Sequence, residues 1–237
     1  MPSTLVALCF GAREPAALAQ FWARLLDRET TAGPDGSTDV EPAGAADLRI
    51  RYVPFDHPRR GPNQTHLHLT STSPEHQLAT VDRALALGGS HLDVGQLPEE
   101  AHIVLADPEG NEFCVIEADN GFLADTAPLG ELSCDGSAAV GRFWSGALGW
   151  PLVWDQDEET AIQSPAGGTK ISWGGPPSRD KRGRNRLYLA LAPTGATEVE
   201  IDRLIALGAA RAEHLDAELG GAALTDPGGN ELVLLEP

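Results

Sequence analysis

The chain has 237 residues, which suffices for one large domain or for two domains of about 120 residues each. Its 35 acidic and 17 basic residues give a net charge of -18, which argues against nucleic acid or an anionic membrane surface as a partner, because phosphate binding needs a basic surface. Hydrophobic residues make up 41% of the chain, enough for a folded core, and no apolar run is long enough to span a bilayer.

The start of the chain and its cysteines predict a compartment. Met1-Pro2-Ser3-Thr4 lacks a basic segment followed by a long apolar stretch, so we expect no secretory signal. Cys9, Cys114 and Cys134 form neither a CxxC pair nor an even framework, which favours free thiols in a reducing environment. We therefore expect a cytoplasmic protein.

The first half of the chain predicts alternating strands and helices. Leu5–Phe10 is a short apolar strand candidate. Pro15–Leu26 predicts a helix, because proline suits the first turn and the apolar residues fall on one stripe. The elements predicted after it are strand Asp47–Phe55, strand His66–Thr70, helix Pro74–Leu87 ended by Gly88-Gly89, strand His102–Ala106 and strand Glu112–Glu117.

Two landmarks of the first half recur in the second. The pair Phe21-Trp22 returns as Phe143-Trp144, and the turn Asp107–Glu112 (DPEGNE) returns as Asp226–Glu231 (DPGGNE). The landmarks keep their order at nearly constant spacing, which indicates an internal duplication.

The second half also repeats the order of the elements. Its helices are predicted near Ser137–Leu148 and Gly195–Leu207, so the order β-α-β-β-β occurs four times along the chain. We predict two domains, residues 1–120 and 126–237. The boundary falls near Asp119–Pro128, where the sequence becomes polar and typical of a loop.

The first helix, with its Phe-Trp pair and Leu-Gly ending, and the DPEGNEF turn together resemble the vicinal oxygen chelate superfamily. The resemblance is to its glyoxalase-like and bleomycin resistance protein branch in tandem form, and it covers nearly the whole chain. It implies an α+β fold in which two βαβββ units form a cup-shaped sheet, with helices outside and the ligand inside. Four units imply two cups, and the resemblance leaves open which units pair.

The resemblance also implies where metal ligands would stand. Metal-dependent relatives place one on the first strand at a fixed distance before the helix phenylalanine, a second, usually His, on the next unit's first strand, and a Glu three residues after the turn asparagine. The matching positions, half by half and to within one residue, are Ala7, His66 and Cys114, then Leu129, Tyr188 and Val233.

Few of these positions hold a metal-binding side chain. Catalytic divalent sites need about three protein ligands and an open position, so we predict no metal and no other cofactor. One alternative stays open. His66, His68 and His102 could face one cup with Cys114 nearby, and His66 and His68 could share a metal, since side chains two apart on a strand point the same way. The other interpretation is that they are a hydrogen-bonded polar lining.

Polar side chains dominate the predicted lining of the first cup. They are Arg51, His66, His68, His102, Glu112 and Cys114. An inward arginine suits a carboxylate or enolate, although it could equally face solvent. We take His66, His68 and Cys114 as the catalytic candidates, because histidine titrates near neutral pH and a nearby imidazolium activates a thiolate.

Aromatic side chains dominate the predicted lining of the second cup. Trp173 aligns with Arg51 and Tyr188 with His66 at the spacing of the Phe-Trp pairs, and Trp154 lies on the strand after the third helix. Three aromatic rings around one cavity suit a planar or cationic organic ligand. The alternative is ordinary core packing.

One segment of the acidic chain is basic. Arg179–Arg186 contains four arginines and one lysine, and its counterpart in the first half is Asp56–Asn63. Both segments precede the first strand of the second unit in their half. They are either solvated loops or gates over a cup that carries an anionic ligand group.

Two functions of different classes follow. The first is a metal-independent protein that binds a small organic molecule in one cup, for sequestration or for resistance to a natural product. The alternative is an isomerase- or lyase-type enzyme that uses His66, His68 and Cys114 in the first cup, with or without a divalent metal. A degenerate structural partner in a larger assembly is a third possibility. We expect a small organic ligand as partner, and a monomer or homodimer.

Overall fold

The computed structural model describes residues 1–44, 46–97, 99–176 and 181–236. As predicted, these residues form an α+β fold of four successive βαβββ units. No helix in the described ranges is long and apolar enough to cross a membrane.

The four units divide the chain as follows. Unit 1 contains β1 (Thr4–Ala12), α1 (Pro15–Leu26), β2 (Thr30–Ala32), β3 (Thr38–Val40) and β4 (Ile50–Pro54). Unit 2 contains β5 (Thr65–Leu69), α2 (Pro74–Ala86), β6 (Ser90–His91), β7 (Ile103–Ala106) and β8 (Glu112–Val115). Unit 3 contains β9 (Leu129–Cys134), α3 (Ala138–Leu148), β10 (Leu152–Gln156), β11 (Glu159–Gln163) and β12 (Lys170–Trp173). Unit 4 contains β13 (Leu187–Ala192), α4 (Thr197–Leu207), β14 (Ala210–Arg211), α5 (Asp216–Leu219), β15 (Ala222–Thr225) and β16 (Glu231–Leu234).

The observed strand β4 begins at Ile50, three residues later than the start of the strand predicted over Asp47–Phe55. The carbonyl of Leu48 accepts a hydrogen bond from the Arg28 guanidinium at 2.9 Å, and Asp47 lies 3.5 Å from the same guanidinium. Arg28 thus holds the approach to the strand in a loop conformation. The other predicted elements match the observed ones to within two residues at each end.

Each sheet combines one unit from each half of the chain. Sheet A has the strand order β14-β15-β16-β13-β1-β4-β3-β2, so it joins units 4 and 1. Sheet B has the order β10-β11-β12-β9-β5-β8-β7-β6, so it joins units 3 and 2. The central pairs, β1 with β13 and β5 with β9, run antiparallel. The pairing that the sequence leaves open is therefore 1 with 4 and 2 with 3, and the boundary near residues 119–128 stays a prediction.

The main hydrophobic core contains residues of both sheets and of α1 to α4. Trp22 of α1 is fully buried, packs edge-on against Phe113 of β8, and donates its indole N–H to Asp107 at 3.3 Å. In the second half the indole of Trp144 donates to Asp226 at 3.0 Å. In each half, the tryptophan of the repeated Phe-Trp pair thus donates a hydrogen bond to the aspartate of the repeated Asp-Pro turn. This contact links a helix that packs on one sheet to a turn of the other sheet.

Glu200, a buried carboxylate near the start of helix α4, contributes to the stability of the fold. Glu200 accepts hydrogen bonds from Ser3 and from Arg203, the latter at 2.6 and 2.8 Å, and Arg203 also donates to the carbonyl of Ala147 at the end of α3. Burial alone would raise the pKa of Glu200, but the hydrogen bonds from Arg203 and Ser3 outweigh it and lower this pKa. The group therefore stabilises the fold above its unfolded pKa, and this contribution is lost as the pH falls through its folded pKa.

We expect Glu200→Gln to lower the free energy of unfolding by about 1 kcal/mol at neutral pH, with the difference from the wild type shrinking in acid. Urea denaturation at about pH 7 and about pH 4 measures it. Glu198→Gln is the matched control on the same helix. Glu198 pairs with Arg211 at an exposed position, so its removal should change stability by less than about 0.5 kcal/mol. A difference that grows in acid would contradict the assigned sign.

Candidate functional site

The cup of sheet B gathers polar side chains from four adjacent strands. His66 and His68 lie on β5, Cys114 on β8, Glu131 on β9 and Ser172 on β12. His68 is directly opposite Cys114 on one neighbouring strand and opposite Glu131 on the other. The apolar residues between them, such as Leu67 and Leu132, face the main core, as the alternation of a strand requires.

Three of these residues form a compact group. One donor atom each of His66, His68 and Cys114 lies within 4.8 Å of the other two. The imidazole rings are tilted by 60° with their centroids 4.8 Å apart. The catalytic candidates from the sequence are thus brought together, on one face and in one cup.

Glu131 holds His68 in place. Its carboxylate contacts Nδ1 of His68 at 2.7 Å and accepts a hydrogen bond from the hydroxyl of Ser172. Burial lowers the pKa of His68, but the adjacent Cys114 thiol and the Glu131 carboxylate outweigh burial and raise this pKa to about 9. Burial conversely raises the pKa of Glu131, and the contacts with His68 and Ser172 lower it overall. At neutral pH, His68 and Glu131 therefore form an ion pair of an imidazolium and a carboxylate.

The other ring nitrogen of His68 is left for a ligand. Nε2 is buried and has no hydrogen-bond partner with suitable geometry among the described residues. A carboxylate on one imidazole nitrogen and an open second nitrogen is the usual arrangement of a metal-ligating histidine. Two imidazoles and a thiolate also match the donors that zinc prefers, and three protein ligands leave a position open. The residues present therefore fit a divalent metal, while the prediction of a metal-free site stays a prediction.

An aromatic and cationic rim lies beside this cup. The ring of Phe122, in the connection between β8 and β9, meets Trp154 edge-on with centroids 6.2 Å apart. Lys170 of β12 lies 4.6 Å from the centre of the Phe122 ring and donates to its carbonyl, and burial lowers the pKa of Lys170. Phe122 also packs against the small apolar cluster that contains Cys114.

Sheet A offers no comparable site among the described residues. Arg51 faces its cup, but the guanidinium is paired with Asp39 through two hydrogen bonds of 2.8 and 2.9 Å. Tyr188 lies beside Cys9 in an apolar cluster completed by Ala190 and Val233 and by residues around α5. Burial raises the pKa of the Cys9 thiol to about 11. The expectation that Arg51 lines one cup with His66 and His68 is therefore wrong, because unit 1 pairs with unit 4.

The aromatic second cup is not formed. Trp154 belongs to the rim of sheet B, Tyr188 to sheet A, and Trp173 is buried in the main core. The alignment of Trp173 with Arg51 is wrong by one residue. The strand pairs place Ser172 opposite Ser133 on β9 and Arg51 opposite Cys9 on β1, so Ser172 is the counterpart of Arg51. A shift of one residue moves a side chain to the other face of a sheet.

Two further predicted lining residues lie apart from the histidine group. His102 is half-buried just before β7 and does not belong to the group of His66, His68 and Cys114. Glu112 is buried, and its carboxylate binds Arg59 and the backbone N–H of Asn63, the latter at 2.6 Å. Glu112 thus anchors the loop before β5.

Sequence reasoning missed Glu131, Ser172 and Lys170. The signal for Glu131 was present, since it is the single charged residue in the otherwise uncharged segment 129–134. The count back from Phe143 led to Leu129, which is fully buried in the core. The count failed because Glu131, which holds the register position of Ala7, lies 12 residues before Phe143, whereas Ala7 lies 14 residues before Phe21.

Comparisons with known proteins agree with this geometry. The sequence-family model of the glyoxalase-like domain matches this chain twice, over residues 7–116 and over residues 131–235. Glyoxalase I from Zea mays superposes with a TM-score of 0.65 over 99% of this chain and 92% of its own, at 11% identity. A putative dioxygenase from Bacillus subtilis superposes with a TM-score of 0.57 over 98% of this chain and 84% of its own, at 14% identity. At these identities the two structures show a shared fold alone.

No sequence match was found among curated proteins. The two family-model matches together span most of the chain and coincide with the repeated βαβββ architecture. The chain therefore belongs to the glyoxalase-like family and contains two copies of its domain.

Proposed function

We propose that the cup of sheet B binds a small organic molecule and catalyses proton transfer on it, in an isomerase- or lyase-type reaction centred on His66, His68 and Cys114. The observation that carries this proposal is the state of His68. Its Nδ1 is held by Glu131, and its buried Nε2 makes no hydrogen bond of suitable geometry with a described residue, in a group whose donor atoms lie within 4.8 Å of one another. A fixed imidazole with one open nitrogen is suited to general acid–base work.

The side chains divide the chemistry between them. Nε2 of His68 gives a proton to the substrate, or takes one from it, while Glu131 keeps the imidazole oriented and compensates its positive charge. His66, whose ring centroid is 4.8 Å away, supplies a second site that can exchange a proton with the same molecule. Two proton-exchanging groups on one side of a substrate are what an isomerisation needs, since a proton leaves one atom and enters another.

A divalent metal is compatible with the same residues. His66, His68 and Cys114 would hold it, with Glu131 supporting His68 from behind. Such an ion supplies Lewis-acid polarisation of a substrate oxygen. Elemental analysis of untagged protein decides whether a metal belongs to the site.

Solvent exchange tests the proposal whatever the final product of the reaction. The protein is incubated in D2O with a panel of small enolisable carbonyl compounds and carboxylic acids, and exchange of their C–H protons is followed by NMR. We expect catalysed exchange for some members of the panel. Exchange that persists when His66, His68 and Cys114 are all replaced would contradict the proposal.

Metal-independent binding, for sequestration or natural-product resistance, is the second candidate function. The rim favours it, because Phe122 and Trp154 present aromatic rings, and Trp154 is 37% exposed. We expect Trp154→Ala to weaken binding of a planar aromatic acid by about tenfold, the effect of losing roughly 1.4 kcal/mol of ring contact. Thermal shift on chelator-treated protein measures the binding.

Val153→Ala is the matched control for this rim, because Val153 is the exposed neighbour of Trp154 on β10. It should leave the affinity unchanged, because it removes only a small apolar side chain and keeps the ring pair of Phe122 and Trp154. Equal losses in the two variants, or binding that disappears on chelation, would count against metal-independent binding at the rim.

A further inference from the structure

A cavity of about 520 Å³ lies between two loops that the internal repeat relates, and none of His66, His68 and Cys114 lines it. One loop precedes β5 and the other precedes β13, the central strands of the two sheets. The loops come close to each other, since a Cβ added at Gly183 would lie 3.6 Å from Cδ of Arg60. Of the basic segment predicted over Arg179–Arg186, Arg179 and Asp180 lie outside the described residues.

The lining of this cavity is strongly basic. Five of the chain's 17 basic residues contribute to it, namely Arg59, Arg60, Arg182, Arg184 and Arg186. Among the described lining residues one, Glu218, is acidic. Three of the five guanidinium groups are paired with carboxylates, Arg59 with Glu112, Arg184 with Glu218 and Arg186 with Glu109. The charges of Arg60 and Arg182 remain to attract an anion into the cavity.

Two of the arginines are fixed in advance. The guanidinium groups of Arg184 and Arg186 lie 4.8 and 5.4 Å from the centre of the Phe55 ring. Arg186 is buried and donates to the carbonyl of His57 at 3.2 Å, while Arg184 is paired with Glu218. Packing of this kind reduces the conformational entropy lost when a ligand binds.

Donor capacity remains for a ligand. Nε of Arg184 is buried and has no hydrogen-bond partner among the described residues. Arg60 and Arg182 are exposed, and unlike Arg59, Arg184 and Arg186 neither forms an ion pair with another described residue. A cavity of this size suits a small organic or inorganic molecule. Guanidinium groups bind best to groups with two or more anionic oxygens, which accept paired hydrogen bonds.

We propose that this cavity is a binding site for a small polyanion that carries phosphate groups or several carboxylates. The site is separate from the cup of sheet B and uses none of its catalytic candidates. The overall negative charge of the protein repels such anions elsewhere, so the cavity concentrates them at one place.

Calorimetric titration with pyrophosphate and with citrate, each against sodium chloride of matched ionic strength, tests this site. We expect saturable binding of pyrophosphate, of citrate or of both, and the two titrations separate phosphate from carboxylate recognition. In the Arg60→Ala/Arg182→Ala variant the affinity should fall by about tenfold or more. Both side chains are exposed, so the variant should fold.

Arg24→Ala/Arg83→Ala is the charge-matched control, since both residues are exposed on helices and neither lines the cavity. It should retain the wild-type affinity, and so should His68→Ala, because the cup of sheet B is not involved. Absence of saturable binding for both anions would overturn the proposal. An equal loss in the two arginine variants, or loss in His68→Ala, would overturn it as well.

Discussion

Replacement of His68 by alanine is expected to slow proton exchange by about 10²–10⁴-fold, the usual contribution of a positioned general acid or base. The reason is the open Nε2, which no other described group in the cup duplicates at the same place. His102→Ala is the matched control, because His102 belongs to the same unit and is half-buried but lies outside the group. Exchange rates measured by NMR in D2O compare the two.

Any metal in the wild type should be lost from the His68→Ala protein and kept in His102→Ala, which elemental analysis measures. Equal rates for His68→Ala and the wild type would contradict the assigned role of His68. If His68→Ala and His102→Ala slowed proton exchange equally, the effect would not be specific to His68, and its assigned role would be contradicted as well.

Glu131 has a positioning role that a further variant isolates. Glu131→Gln removes the negative charge next to Nδ1 of His68 with little change in size, and should slow exchange by about 10–100-fold, as loss of such partners usually does. Ser172→Ala is its control, because it leaves the contact between Glu131 and His68 intact. A larger effect of Ser172→Ala than of Glu131→Gln would contradict this order.

Trp173→Ala is expected to lower the free energy of unfolding by about 3–5 kcal/mol, the usual cost of removing a buried indole. Trp173 is 2% exposed and packs under α3, where a Cβ at Gly141 would lie 2.9 Å from the indole ring. Ligand binding should be unaffected in the fraction that remains folded. Urea denaturation followed by circular dichroism measures the change.

Trp154→Ala is the matched control for Trp173→Ala, since Trp154 is the exposed tryptophan of the same unit. It should cost less than about 1 kcal/mol of stability. The reverse outcome, a stable Trp173→Ala protein with weakened ligand binding, would restore Trp173 to a cup and contradict the register of β12.

The orientation of single strands could be predicted from the sequence. In the segment His66–Thr70 the alternation of polar and leucine residues placed both histidines on one face, and the turn asparagine Asn111 correctly led to Cys114 on the cup side of β8. Both inferences depend on local geometry alone, because the pleat of a strand fixes which side chains share a face. Glu131 was missed where a count had to cross a connection of variable length.

The four βαβββ units, their duplication and the inward faces of β5 and β8 follow from the order and alternation of residues along the chain. The pairing of unit 2 with unit 3 and of unit 1 with unit 4 is seen only in the folded chain. Backbone hydrogen bonds are the same for every pairing of homologous units, so the pattern of a single strand does not select its partner. The partner is selected by the common core that α1 to α4 form with both sheets, and that choice brings Glu131 to His68 and leaves Arg51 with Asp39 in the other cup.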